Sequence, residues 1–152
     1  MNSIQKNSAV QSPAMSGEPL IEVFSAAWMS EYARLWNAEQ TMVRELSRQR
    51  FSAAVGYGFP DQPDPQGLLV VVRGNAEWAG SYDGRELDWD LRAAAPDWTH
   101  WLSQGFELPR LLLAVGNQRL QIRRGDHRRI LRKPPLVNAL LRAFELMPEV
   151  RR

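Results

Sequence analysis

Residues 91–126 read LRAAAPDWTHWLSQGFELPRLLLAVGNQRLQIRRGD, and the order of elements in this stretch decides the fold. Leu91 to Ala93 end a strand. Pro96 suits the first position of a helix, and Asp97 suits its first turn, where a carboxylate meets the positive end of the macrodipole. Trp98, Trp101 and Leu102 form an apolar stripe, and Gly105 stops the helix. Pro109 starts a second helix carrying Leu111, Leu112 and Val115, and Gly116 ends it. Leu120 and Ile122 then face one way while Gln121 and Arg123 face the other, a short edge-like strand closing on Gly125-Asp126. The block is greasy surface and turn chemistry without a nucleophile or a metal cluster. It points to a protein that holds an apolar guest rather than one that reacts with it.

Downstream, His127 to Lys133 predicts a short helix, broken by Pro134-Pro135. The last helix carries Leu136, Leu140, Phe144 and Met147 at helical spacing, flanked by Val137 and Leu141, and Pro148 stops it. Upstream, Phe51, Ala53, Val55, Tyr57 and Phe59 alternate with Ser52, Ala54, Gly56 and Gly58. Period two means strand, and its nearly bare face invites a close neighbour. Leu68 to Val72 is a continuous apolar run, as expected of a central strand. Gly74-Asn75 marks a turn before a strand from Ala76 to Tyr82. Asp83-Gly84 predicts a hairpin into a half-exposed strand at Leu87, Trp89, Leu91 and Ala93. Near the N-terminus, Ser25 suits the cap of a helix whose face is Trp28, Tyr32, Leu35 and Trp36, with Asn37 as an interruption. A second segment through Val43 and Leu46 runs to about Arg50. Strands joined by turns and covered by helices mean α+β, with helices layered on a mostly antiparallel sheet.

The chain has 152 residues, which fits one domain, here placed at residues 20–150. Residues 1–19, rich in Ser, Asn, Gln and Pro, are expected to form a polar flexible tail. They do not resemble a signal peptide, and no apolar run approaches a bilayer span. There is no cysteine, which rules out disulfides and thiolate chemistry and fits a cytoplasmic protein. Net charge is only +2, yet residues 1–100 carry 8 Lys/Arg against 13 Asp/Glu, and residues 101–152 carry 11 against 4. The basic cluster of Arg119, Arg123, Arg124, Arg128, Arg129, Arg132 and Lys133 suits phosphates, a membrane surface or plain solvent.

Catalytic signatures are missing. The two histidines, His100 and His127, stand alone, HExxH is absent, and no Gly-x-Ser-x-Gly elbow exists. Gly56-x-Gly58 lacks a third glycine. Asp88 and Asp90 share the polar face of a strand and read as a solvated edge rather than an acid–base pair. Trp89, Trp98, Trp101 and Leu102 suit either solid core or a cavity wall, because indoles give broad apolar surfaces. The stripe of the last helix carries the same choice.

Four features together resemble the sterol carrier protein type-two family, the sterol-binding or sterol-transfer domain, and in particular its standalone bacterial-type members. They are Phe24-x-x-x-Trp28-x-x-x-Tyr32 followed by Asn37-Ala38; strands ending in Asp90-Leu91-x-x-Ala94; a Trp helix ending at Gly105 and then Leu111-Leu112; and Leu120-x-Ile122-x-x-Gly125-Asp126 before a C-terminal helix. The resemblance covers about residues 20–150. It departs from the family at Val115-Gly116-Asn117-Gln118-Arg119 and at Pro134-Pro135, where such folds shape and close their cavity.

The resemblance implies a five-stranded sheet covered by helices, with an apolar tunnel between them for a fatty acid, acyl-CoA, sterol or similar lipid. It also implies a non-catalytic binding or transfer protein that needs no cofactor and no metal. Leu112, Val115, Leu140, Phe144 and Met147 are the expected wall, with Trp98 and Leu102 behind. Arg123, Arg124, Arg128 and Arg129 are the expected contacts to a head group or an anionic membrane. Burying a C16 chain at about 0.8 kcal/mol per methylene yields roughly 12 kcal/mol gross. Losing roughly 4–10 kcal/mol in freedom and ordering still leaves affinities of micromolar class, so an apolar wall suffices. The alternative is a protein-interaction or accessory module of an enzyme complex that keeps the fold without free lipid exchange. A nucleic-acid partner is disfavoured, and a homodimer stays open.

Overall fold

The computed structural model describes residues 22–150; the expected tail at 1–19 lies outside the described residues. Two helices, α1 (Ala26–Ala38) and α2 (Gln40–Arg48), precede strands β1 (Ala53–Gly58), β2 (Gly67–Val72), β3 (Asn75–Ser81) and β4 (Trp89–Arg92). Helices α3 (Ala95–Gln104) and α4 (Leu108–Gly116) lead to β5 (Gln121–Arg124). Then come α5 (His127–Leu131), α6 (Pro134–Leu146) and a 3-10 turn at Met147–Glu149. The sheet runs β3-β2-β1-β4-β5; β1 and β4 are parallel and the other pairs antiparallel. The architecture is α+β with a five-stranded, mostly antiparallel open sheet, and no described helix is long and apolar enough to cross a membrane.

The Ser25 hydroxyl caps α1 by accepting from the Trp28 amide at 3.2 Å. Trp28, Met29, Tyr32 and Trp36 then form one fully buried face, while Leu35 is only partly buried. The interruption expected at Asn37 falls two residues on, at Glu39 between α1 and α2, and Asn37 itself occupies the last turn of α1. Its carboxamide donates to the Ala76 carbonyl at 2.9 Å and accepts from the Ala76 amide at 2.8 Å. One side chain thus supplies a strand's worth of pairing to the outer edge of β3. The Trp36 indole donates to the Gly74 carbonyl beside it. The turn between β2 and β3 is centred on Arg73-Gly74, both at positive φ, one residue earlier than the Gly74-Asn75 expected.

The bare face of β1 is filled as anticipated. A Cβ at Gly56 would lie 2.8 Å from Pro65 Cγ and 2.9 Å from Leu87 Cδ1. That packing overturns the hairpin expected at Asp83-Gly84. The chain leaves β3, crosses the outer face of the sheet and joins the far side of β1. The Asp88 amide donates to the Ala54 carbonyl, and its carboxylate accepts from the Ala54 amide at 2.8 Å. Leu87 and Asp88 dock on β1 and so select a parallel β1–β4 pair over the local turn. Asp90 is occupied too: it grips Arg92, the one buried charged side chain described, whose guanidinium also donates to the Phe59 and Gln62 carbonyls. Neither aspartate is left for acid–base chemistry.

Gly105 ends α3 at φ 90, and the Trp98 indole donates to the Gly58 carbonyl at 2.9 Å. Gly125 follows β5 at φ 116, and a Cβ there would lie 2.2 Å from the Trp89 ring. The fully buried stripe of α6 is Leu136, Ala139, Ala143 and Leu146, not the stripe read from Leu136, Leu140, Phe144 and Met147. The alanines let α6 approach α1 so closely that the Tyr32 hydroxyl donates to the Ala143 carbonyl at 2.7 Å. Leu140 and Phe144 lie on the neighbouring, half-buried face.

Candidate functional site

α1 covers the β2–β3 half of the sheet. Over the other half, α4, α5 and α6 leave an apolar cavity of about 150 Å³. Its floor is Val55 and Tyr57 of β1, Trp89 and Leu91 of β4, and Leu120 and Ile122 at β5. Alternation along each strand puts these side chains on one face. Tyr32 and Trp36 of α1 close one side, and Val137, Leu140, Leu141 and Phe144 of α6 close another. Leu108, Leu111, Leu112 and Val115 of α4, with Ile130 and Leu131 of α5, form the cover.

Of the residues expected at the wall, the structure brings Leu112, Val115, Leu140 and Phe144 to this cavity. Trp98, Leu102 and Met147 lie off the lining, in solid core. Trp98 packs edge-on against Phe24 at 4.9 Å and Trp101 at 5.4 Å. Met147 is displaced from the helical stripe because α6 tightens into the 3-10 turn there, and that turn packs on α3. The sequence reading missed the floor, Tyr32, Trp36 and the cover from α5. The floor had a signal in the bulky face of residues 51–59. Ile130 and Leu131 were masked by the arginines around them.

Lining residues with a polar side-chain atom are few: Tyr32, Tyr57, His127 and the indoles Trp36 and Trp89. Burial drives both tyrosine hydroxyls well above their usual pKa, so they stay neutral hydrogen-bonding groups. Among the described residues, no three His, Asp or Glu side chains gather as a metal site.

The four expected head-group arginines separate into two pairs. Arg124 pairs with Glu86 at 3.0 Å, and Arg123 donates to the Pro60 carbonyl. Arg128 and Arg129 stand exposed on α5. Asp126 caps that helix by accepting from the Arg128 amide at 3.1 Å. Arg119, from the same basic cluster, is held by Asp97 of α3.

The architecture is shared with solved sterol carrier proteins. The chain aligns with a crystal structure of sterol carrier protein 2 at a TM-score of 0.66 and 21% identity, over 85% of this chain and 99% of that one. It aligns with the solution structure of a conserved hypothetical protein from Thermus thermophilus, described there as a candidate sterol carrier protein. That match has a TM-score of 0.65 and 19% identity, over 89% of this chain and 94% of the other. No family model and no curated protein matches the sequence.

Proposed function

We propose that the chain binds the apolar part of a lipid-like molecule, such as a fatty acid, acyl-CoA or sterol, in the cavity between sheet and helices, without transforming it. The observation that carries this reading is the cavity's lining, aliphatic and aromatic from three layers of the fold. Core side chains normally meet at close packing, and a void among them forfeits dispersion contacts. A guest recovers those contacts. The shared sterol carrier architecture supports a guest of this class.

The guest that fits unaided is about one ring or a short chain segment, since sites for drug-sized ligands run to roughly 300–1,000 Å³. A longer chain must push the cover outward. α4 suits that role, because its Leu112 and Leu113 stand exposed on the outer side of the cover. The same small volume keeps a second reading in view, an accessory module that retains the fold and docks a protein instead. Titrating delipidated protein with fluorescent fatty acid, acyl-CoA and sterol separates the two. Saturable uptake supports the lipid reading. Absence of uptake for all three, with one stoichiometric protein partner recovered, supports the accessory module.

A further inference from the structure

The mouth of the cavity has a chemistry that its lining does not explain. Leu112 of α4 and Leu131 of α5 line the cavity, yet they remain 41% and 42% exposed. Leu113, outside that lining, is 66% exposed. These are three of the five exposed large apolar side chains described, the others being Val72 and Trp78 on the sheet. Leu112 and Leu131 rim the apolar opening, and Leu113, next along α4, borders the α3–α4 groove beside Arg110 and Asn117; exposed leucines so close together on one end of the fold mark an interaction surface.

Cations flank the leucines. Arg128 and Arg129 lie on α5, and Arg132 and Lys133 directly follow it, all exposed. Among the described residues, no carboxylate lies within ion-pair distance of these four. The remaining arginines near this end are engaged: Arg110 with Glu107, Arg119 with Asp97 and Arg124 with Glu86. Asp126, the nearest acid in the chain, accepts from the α5 backbone.

We infer that the α4–α5 end docks on an anionic lipid surface. Leu112, Leu113 and Leu131 enter the interface, and Arg128, Arg129, Arg132 and Lys133 meet the phosphates. Charge complementarity and the continuity of Leu112 and Leu131 with the cavity favour a membrane over an acidic protein. A bilayer accepts apolar and cationic side chains in one plane and is also a source of guests. That the mouth faces the bilayer rests on the lipid reading of the cavity.

The test is co-sedimentation of the full chain with phosphatidylcholine vesicles, with and without phosphatidylserine, beside fluorescent fatty-acid uptake from solution. Binding should require phosphatidylserine and weaken with salt. It should fall about fivefold for each of the four cations neutralised, and about tenfold for Leu113→Asp. Both sets of variants should keep normal uptake from solution, because Leu113 and the cations lie off the lining. Equal binding to both vesicle types, or no binding with uptake intact, overturns the docking surface alone. A dimer dissociated by Leu113→Asp also overturns it, since the leucines would then cover one another. Vesicle binding without uptake upholds docking and overturns the cavity reading.

Discussion

At the residue scale, two glycines at positive φ separate strain from collision. Gly84 sits at φ 91, and a Cβ added there would meet nothing within 4 Å, whereas Gly125 at φ 116 would drive a Cβ into the Trp89 ring. Gly84→Ala should cost about 1 kcal/mol, the left-handed penalty alone. Gly125→Ala should cost about 3 kcal/mol, because overpacking adds to that penalty. Denaturant midpoints of the two variants check the difference, and equal losses would mean that Trp89 yields freely. On the cavity wall, Leu140→Trp should fill the space and weaken fatty-acid uptake tenfold or more, with the melting temperature almost unchanged. A variant that binds as well as the parent would place the guest elsewhere.

At the element scale, one side chain of α1 supplies both hydrogen bonds that tie the helix to the edge of β3. Asn37→Ala strips two hydrogen bonds from Ala76 and leaves a half-buried amide and carbonyl without partners, at about 2–3 kcal/mol. Hydrogen exchange along β3 should accelerate while exchange along β1 holds. The break between α1 and α2 was legible to within two residues, but this joint was not, because nothing local to Asn37 marks its side chain as the mimic of a strand. α1 itself was legible, because its aromatic residues keep helical spacing and Ser25 is a standard cap. The close approach on the bare face of β1 was legible for a steric reason. The crossover after β3 was not. Asp83-Gly84 has hairpin chemistry, but turn chemistry is local, and the partner of β4 is chosen by Leu87 and Asp88 docking on β1, more than 30 residues away in sequence. The candidate wall was half legible: Leu140 and Phe144 follow from the stripe of α6. Met147 does not, because α6 tightens into a 3-10 turn at that residue and the turn packs on α3.

At the scale of the whole molecule, the hidden tyrosines set an alkaline limit. Burial raises the pKa values of Tyr32 and Tyr57 in the folded chain above the ordinary value of 10.0. Their contribution is therefore intact below about pH 10 and shrinks above it, as the unfolded chain begins to release protons that the folded chain retains. The melting temperature should hold from neutrality to about pH 9 and fall beyond pH 10. The double variant Tyr32→Phe/Tyr57→Phe should flatten that fall, and an unchanged slope would assign it to other groups. The distribution of indoles has an optical consequence. All six tryptophans are within the described residues, but only Trp36 and Trp89 border the cavity. Emission from the intact chain is therefore mostly background from indoles that never meet a guest. Replacing the exposed Trp78 with phenylalanine removes one of those four background indoles, and the difference between emission with and without guest then reports occupancy through Trp36 and Trp89, with no dye attached to the ligand.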